Sequence, residues 1–269
     1  MFNQTAYALG ANRSCIRELF EYGRSRAAIV GPENVYDYSL GNPSIPSPKG
    51  VNDAIRDILL DTPSLLVHGY TSATGDLEAR KAISRDLNGR YGVDTKPEEF
   101  FLGCGAAPEL CSVFRALSVP GGELIAVAPY FPEYRPFAQE AGLQFKVVPP
   151  DVPDFQISLP RLEALITPHT QAVLINTPNN PSGVVYTRET LQELAALLTR
   201  KAESYGHPIY LISDEPYREL AYGVEVPFVP GIYRDTLICY SYSKSLSLPG
   251  ERIGYVYVPQ AATDGKALY

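Results

Sequence analysis

The sequence predicts an α/β fold, a mainly parallel sheet flanked by helices and preceded by an N-terminal helical arm. Two observations predict the sheet. From residue 100 onward, apolar runs of strand length alternate with stretches of helical periodicity, and the runs end in loops rich in Pro, Gly, Asn and Asp. A third concerns the runs themselves. Ala172-Val173-Leu174-Ile175 and Ile209-Tyr210-Leu211-Ile212 are apolar throughout, the pattern of strands buried on both faces.

Taken in order, residues 1–13 read as an irregular arm. Ser14 then precedes Ile16, Leu19, Phe20 and Ala27, a helical stripe with Arg17, Glu18 and Glu21 outside it. Tyr36-Asp37-Tyr38-Ser39-Leu40 reads as a strand ending at the turn Gly41-Asn42-Pro43. Val51, Ala54, Ile55, Ile58 and Leu59 recur at helix spacing over 49–60, and the stretch from His68 to Leu77 leads into the next helix. Phe100-Phe101-Leu102 is a short strand, Gly103 to Ala107 a small-residue loop, and Pro108 to Val119 a helix. That order makes an anion site, because free backbone N–H groups and the helix dipole point the same way.

Pro120-Gly121-Gly122 turns the chain into the strand Glu123 to Ala128, and Pro129-Tyr130-Phe131-Pro132-Glu133-Tyr134 follows. Next come a strand over Gln144 to Val148, a helix over Leu159 to Ile166 and a strand over Gln171 to Asn176. The last of these opens into Asn176-Thr177-Pro178-Asn179-Asn180-Pro181-Ser182-Gly183 before a helix from Thr187 to Ser204. The strand Ile209 to Ile212 carries Ser213-Asp214-Glu215-Pro216-Tyr217 at its carboxyl end, the edge at which open α/β sheets bind ligands. Strands at Thr236 to Tyr240 and Ile253 to Val258 enclose a loop with Ser241, Ser243, Lys244 and Arg252.

Composition narrows the function. A formal charge of −7 argues against a generic nucleic-acid surface or a polybasic membrane anchor. No run approaches the roughly 18–20 apolar residues that a membrane helix needs, and no apolar signal segment opens the chain. Cys15, Cys104, Cys111 and Cys239 lack metal-ligand spacing and read as reduced, buried thiols of a cytoplasmic protein. His68, His169 and His207 are scattered, so no metal site is expected.

Lysine is the side chain that forms a Schiff base with a carbonyl cofactor such as pyridoxal phosphate. Such a cofactor also needs donors for its phosphate, an anion for its ring nitrogen and a flat face to stack on. Ser241 and Arg252 flank Lys244 at spacings of three and eight residues, where a hydroxyl and a fork-shaped guanidinium suit a phosphate. A dinucleotide site is the competing use of Gly103-x-Gly105, but the third glycine position of GxGxxG holds Pro108.

Ser241-x-Ser243-Lys244 followed by Gly250-x-Arg252-x-Gly254 resembles the lysine signature of the pyridoxal-phosphate-dependent class I/II aminotransferases of fold-type I. The resemblance runs over nearly all of the 269 residues. It implies that Lys244 holds the cofactor and acts as general base and acid, and that Asp214 pairs with the ring nitrogen. Tyr217 and Asn180 would bond the ring oxygen. Gly105, Ala106 and Ala107, with Ser241, Ser243 and Arg252, would hold the phosphate, without the hydroxyl that many relatives place among those three small residues. The resemblance points to Phe131 for ring stacking, with Tyr130 the other possibility. Gly41 and Asn42 would lie near the substrate carboxylate.

Tyr70, in Tyr70-x-x-x-x-Gly75, would reach the phosphate in a partner subunit, which implies a homodimer. The implied reaction moves an amino group between an amino acid and a 2-oxo acid. A C–S β-lyase of the same scaffold and an inactive cofactor-binding fragment are the alternatives. Residues 1–48 are expected to form the arm and first helix, and 49–269 the cofactor-binding large domain. The family's C-terminal small domain, with its carboxylate-binding arginine, has no counterpart before Tyr269.

Overall fold

A computed structural model describes residues 2–11 and 15–269, so Ser14 lies outside the described residues. The chain divides into two compact units, residues 1–46 and 47–269. In the first, α1 (Gln4–Ala11) replaces the expected irregular arm; its alanines are strong helix formers. The amphipathic stripe gives α2 (Cys15–Val30). Tyr36 to Leu40 is not a strand. The carboxylate of Asp37 accepts from the Ser39 backbone N–H at 2.8 Å and from its hydroxyl at 2.6 Å, a local turn that competes with an extended ladder.

The second unit begins with α3 (Lys49–Asp61), α4 (Ser64–Val67) and α5 (Leu77–Tyr91). The helix at α3 is as expected, but its stripe is uncovered: Ile55, Ile58 and Leu59 are exposed. Helix α5 starts where the Asp76 carboxylate accepts from the Ala79 N–H at 2.8 Å, and it stops at Gly92 in the left-handed conformation.

The remaining elements are β1 (Phe100–Gly103), α6 (Ala106–Ala116), β2 (Glu123–Val127), α7 (Tyr134–Ala141), β3 (Gln144–Val148), α8 (Leu159–Leu165), β4 (Thr170–Asn176), α9 (Arg188–Tyr205), β5 (Tyr210–Asp214), β6 (Thr236–Ser241), α10 (Tyr242–Ser245), β7 (Gly254–Tyr257) and α11 (Gly265–Leu268). They build one seven-stranded sheet in the order β1-β7-β6-β5-β4-β2-β3. The five strands from β6 to β3 are parallel, and β7 runs antiparallel to both β6 and β1. The sheet is therefore mainly parallel and flanked by helices, the fold-type I large-domain architecture.

Strand periodicity sorts the core into two layers. On one face, Leu124, Ala126, Leu174, Ile212 and Leu237 pack with Leu110, Val113 and Phe114 of α6 and Tyr134 and Ala138 of α7. On the other, Ile125, Val127, Val173, Ile175 and Leu211 pack with Leu162 of α8 and Leu191, Leu194 and Leu198 of α9. A third cluster joins Ile83 and Leu87 of α5 to Phe100, Tyr240, Tyr255 and Tyr257. Two expectations need correction. Cys15 and Cys104 are exposed, since Cys15 opens a helix with no buried residue and Cys104 lies in the turn after β1; only Cys239 is fully buried. The loop after β6 contains a helical turn, α10, started by the Ser241 hydroxyl accepting from the Ser243 N–H at 3.2 Å.

Candidate active site

Parallel strands bring their carboxyl ends to one edge of the sheet, and here those ends carry the polar residues. Asn176 ends β4, Asp214 ends β5 and Ser241 ends β6. Between them and the start of α6 lies a cavity of about 180 Å³. Ala106, Ala107, Phe131, Asn180, Asp214, Tyr217, Ser241, Ser243, Lys244 and Arg252 all line it. The sequence places these ten residues on five separate segments, and the fold brings them to one cavity.

Asp214 is the electrostatic centre. It is buried, with 5% of its surface exposed. The Tyr134 hydroxyl donates to its Oδ2, while Oδ1 has no hydrogen-bond partner among the described residues. Burial pushes its carboxyl up to about 7; the Tyr134 hydrogen bond opposes that shift and the neighbouring Glu215 adds to it. Asn176 braces the same corner. Its amide donates to the Asp214 carbonyl at 2.8 Å, and its Oδ1 accepts from the Asn180 N–H at 2.5 Å. Asn180 in turn donates to the Tyr217 hydroxyl at 3.2 Å. Burial, and then the Asp214 charge, raise the Tyr217 phenol.

Lys244 projects from α10 into the cavity, half-buried. Desolvation, and then the Arg252 charge, lower its pKa and favour the neutral amine. Across from it, α6 begins after Gly105, which holds φ +95°. A Cβ built there would meet the Arg252 guanidinium at 2.9 Å and lie 3.6 Å from the Ser241 hydroxyl. Only glycine leaves the gap between the helix start and those two side chains open. Arg252 itself has φ +55° and donates to the Pro249 carbonyl at 3.1 Å. Ser241 and Ser243 share a hydroxyl hydrogen bond of 2.7 Å.

The aromatic alternative divides cleanly in space. Phe131 lines the cavity, whereas Tyr130 packs against Phe145 with centroids 5.3 Å apart and accepts from Arg135 at 3.3 Å. Tyr70 is fully exposed and outside the cavity lining. Gly41 and Asn42 belong to the N-terminal unit, where the Asn42 N–H donates to the Leu40 carbonyl at 2.7 Å. Sequence reasoning missed Tyr134 and Asn176 as members of the site. Both stand in the motif strings, one closing the Pro-aromatic run and one opening the Asn/Pro loop, but only their contacts with Asp214 single them out.

The sequence profile described as aminotransferase class I and II matches residues 33–267. The chain belongs to the class I and II aminotransferases. Aspartate aminotransferase of Thermotoga maritima is 34% identical over 238 residues, covering 87% of this chain and 60% of that protein. This chain thus spans about three-fifths of that relative's length. A crystal structure of an amino transferase from Eubacterium rectale superposes with a TM-score of 0.97 at 53% identity, covering all of this chain and 68% of that one. Aspartate aminotransferase from Thermus thermophilus with maleate gives 0.83 at 27% identity, covering all of this chain and 67% of that one.

The aminotransferases of this class depend on pyridoxal phosphate. The cavity fits that group on its own chemistry. The unpartnered Asp214 Oδ1 lacks the donor that a protonated ring nitrogen supplies. The gap held open by Gly105, bordered by Arg252, Ser241 and the start of α6, suits a phosphate.

Proposed function

We propose that this chain carries the cofactor site of an aminotransferase that moves an amino group between an amino acid and a 2-oxo acid. The observation that carries the reading is Asp214, a buried carboxyl with one oxygen partnered and the other left open among the described residues, lining the same cavity as Lys244. A buried acid with an unmet oxygen is costly unless a donor completes it.

Bound pyridoxal phosphate supplies a sink for the electron pair left at the substrate's α-carbon when its proton departs. The protein's residues do the rest. Lys244, its pKa lowered by desolvation and then by the Arg252 charge, would bond the cofactor through Nζ and, once displaced by the substrate's amine, would take the α-proton and return it. Asp214 would hold a proton on the ring nitrogen through a charge-assisted hydrogen bond. Tyr134 donates to that carboxylate and Asn176 to the main-chain carbonyl of the same residue, contacts that hold Asp214 in place. Tyr217 and Asn180, already hydrogen-bonded to each other, would bond the ring oxygen, and Phe131 would offer the face to stack on. Gly105, Ala106 and Ala107 offer backbone N–H groups to the phosphate beside Ser241, Ser243 and Arg252.

Residues 49–269 form the cofactor-binding domain in this reading, and the family resemblance makes Gly41 and Asn42 the candidates for the substrate carboxylate. A homodimer belongs to the proposal. Its support is the full exposure of Tyr70 and the uncovered apolar stripe of Ile55, Ile58 and Leu59 in the same unit. Among the described residues no helix is long and apolar enough to cross a membrane. A cytoplasmic setting, where thiols stay reduced, suits four cysteines that form no disulfide.

The test adds pyridoxal phosphate to the purified chain, records the absorbance of the lysine-bound cofactor and then offers amino acids, aspartate first because matched relatives bear that name. Conversion to the aminated cofactor with release of a 2-oxo acid, lost in Lys244→Ala, is expected. Release of pyruvate and ammonia would identify a β-lyase instead. Undiminished turnover in Lys244→Ala would sink the assignment.

A further inference from the structure

Directly behind the phosphate cradle lies a buried acid that the proposed chemistry does not use. Glu109 sits in the first turn of α6, with 3% of its surface exposed. Neither carboxyl oxygen has a hydrogen-bond partner among the described residues. The side chain occupies a slot made by glycines. Cβ atoms built on Gly103 and Gly254, directly paired between β1 and β7, would each come within 2.8 Å of Glu109 Oε1. The Cβ on Gly254 would also meet the Cα of Gly105, which opens the cradle, at 2.8 Å. The sequence thus gives up two side chains around one carboxyl.

The charged surroundings do not compensate an ionised Glu109. Asp214 on β5 is a like charge. Cys239 on β6 is a buried thiol whose own ionisation Glu109 opposes. Strands β1 and β7 face the carboxyl with Gly103 and Gly254. Arg252 is the favourable neighbour, but it donates to the Pro249 carbonyl and lies over Gly105. The Gly105 N–H approaches without reaching hydrogen-bond geometry and offsets part of the burial effect. Burial dominates and lifts the Glu109 carboxyl to about 8.

We propose that Glu109 is a positioning residue of the cradle, a neutral acid at the floor of the phosphate site that ties cofactor affinity to the retention of one proton. This rests on reading the cavity as a pyridoxal phosphate site. An arriving phosphate dianion, with Asp214 turned into a carboxylate by the ring nitrogen, adds negative charge on two sides of Glu109. Both raise the cost of its ionised form. A cofactor-free protein that has lost this proton must take it up again to bind.

The sign follows from linkage. The group is mostly protonated at pH 7 and mostly ionised at pH 9. Its protonated fraction, and with it the affinity, falls about tenfold across that interval. The measurement is calorimetric titration of pyridoxal phosphate into the Lys244→Ala chain, which excludes covalent capture and its own pH dependence. It is run at pH 7 and 9 in buffers of different ionisation enthalpy, with and without Glu109→Gln. With Glu109 present, binding at pH 9 should take up nearly one more proton than in Glu109→Gln, and its affinity should fall about tenfold further between the two pH values. Glu109→Leu should behave as Glu109→Gln does, which separates charge from shape. Equal proton uptake and parallel affinity profiles would overturn the role of Glu109 and leave the cofactor site standing. No binding by any of the proteins at either pH would overturn both.

Discussion

The carboxyl of Asp214 makes a prediction with two opposite signs. Without cofactor it is a buried acid raised from 3.8 to about 7. The unfolded chain therefore holds fewer protons than the folded one between those values, and the group's contribution to stability falls as pH rises through them. Asp214→Asn removes the charge and keeps an oxygen to accept from the Tyr134 hydroxyl. At 1.36 kcal/mol per unit, the variant should gain about 2–3 kcal/mol on the unmodified chain between pH 5 and pH 8. Urea unfolding of the cofactor-free proteins at the two pH values measures it. With pyridoxal phosphate present the order should reverse, because the amide cannot pair as an anion with a protonated ring nitrogen, and the variant should bind the cofactor more weakly. Parallel pH profiles for the two cofactor-free proteins would refute the assignment of Asp214 as a buried charge awaiting a partner.

Three further outcomes follow from named contacts. Tyr134→Phe deletes the only donor to the Asp214 carboxylate among the described residues, so the fall in cofactor-free stability, which starts at the unfolded carboxyl's value, should continue to higher pH, read from the same unfolding series. Gly105→Ala forces a side chain into a φ +95° position against Arg252, so cofactor affinity should drop at least about tenfold while circular dichroism stays unchanged. Arg218 and Glu215 form a buried pair at 2.6 Å, with Arg218 also donating to Tyr255 at 3.1 Å. Arg218→Met should cost about 3–5 kcal/mol in unfolding experiments by stranding the Glu215 charge.

Much of this molecule was legible in its sequence, for local reasons. The strands around Leu174 and Leu211 announce themselves because buried parallel strands are apolar on both faces. The Ser-x-Ser-Lys and Asn-Pro-Ser-Gly strings carry their chemistry in residue type and spacing, and the fold delivers Lys244, Asn180, Asp214 and Arg252 to one cavity. Tyr36 to Leu40 misled because alternating aromatics resemble a strand, while a strand forms only where another pairs with it, and Asp37 closes a turn instead.

Tertiary structure alone decided which polar groups meet. Tyr134 lies 80 residues before Asp214 in the chain, and nothing local marks its hydroxyl as the partner of that carboxylate. Glu109 reads as an ordinary acid in the first turn of a helix, a favourable place for one in water. Only the pairing of Gly103 with Gly254, and the sheet edge that closes over both, turn it into a buried carboxyl without a donor. Residue type and period determine which segments become strands and which side chains can do chemistry. Burial and long-range contact determine their ionisation, because desolvation depends on what the rest of the chain places around them.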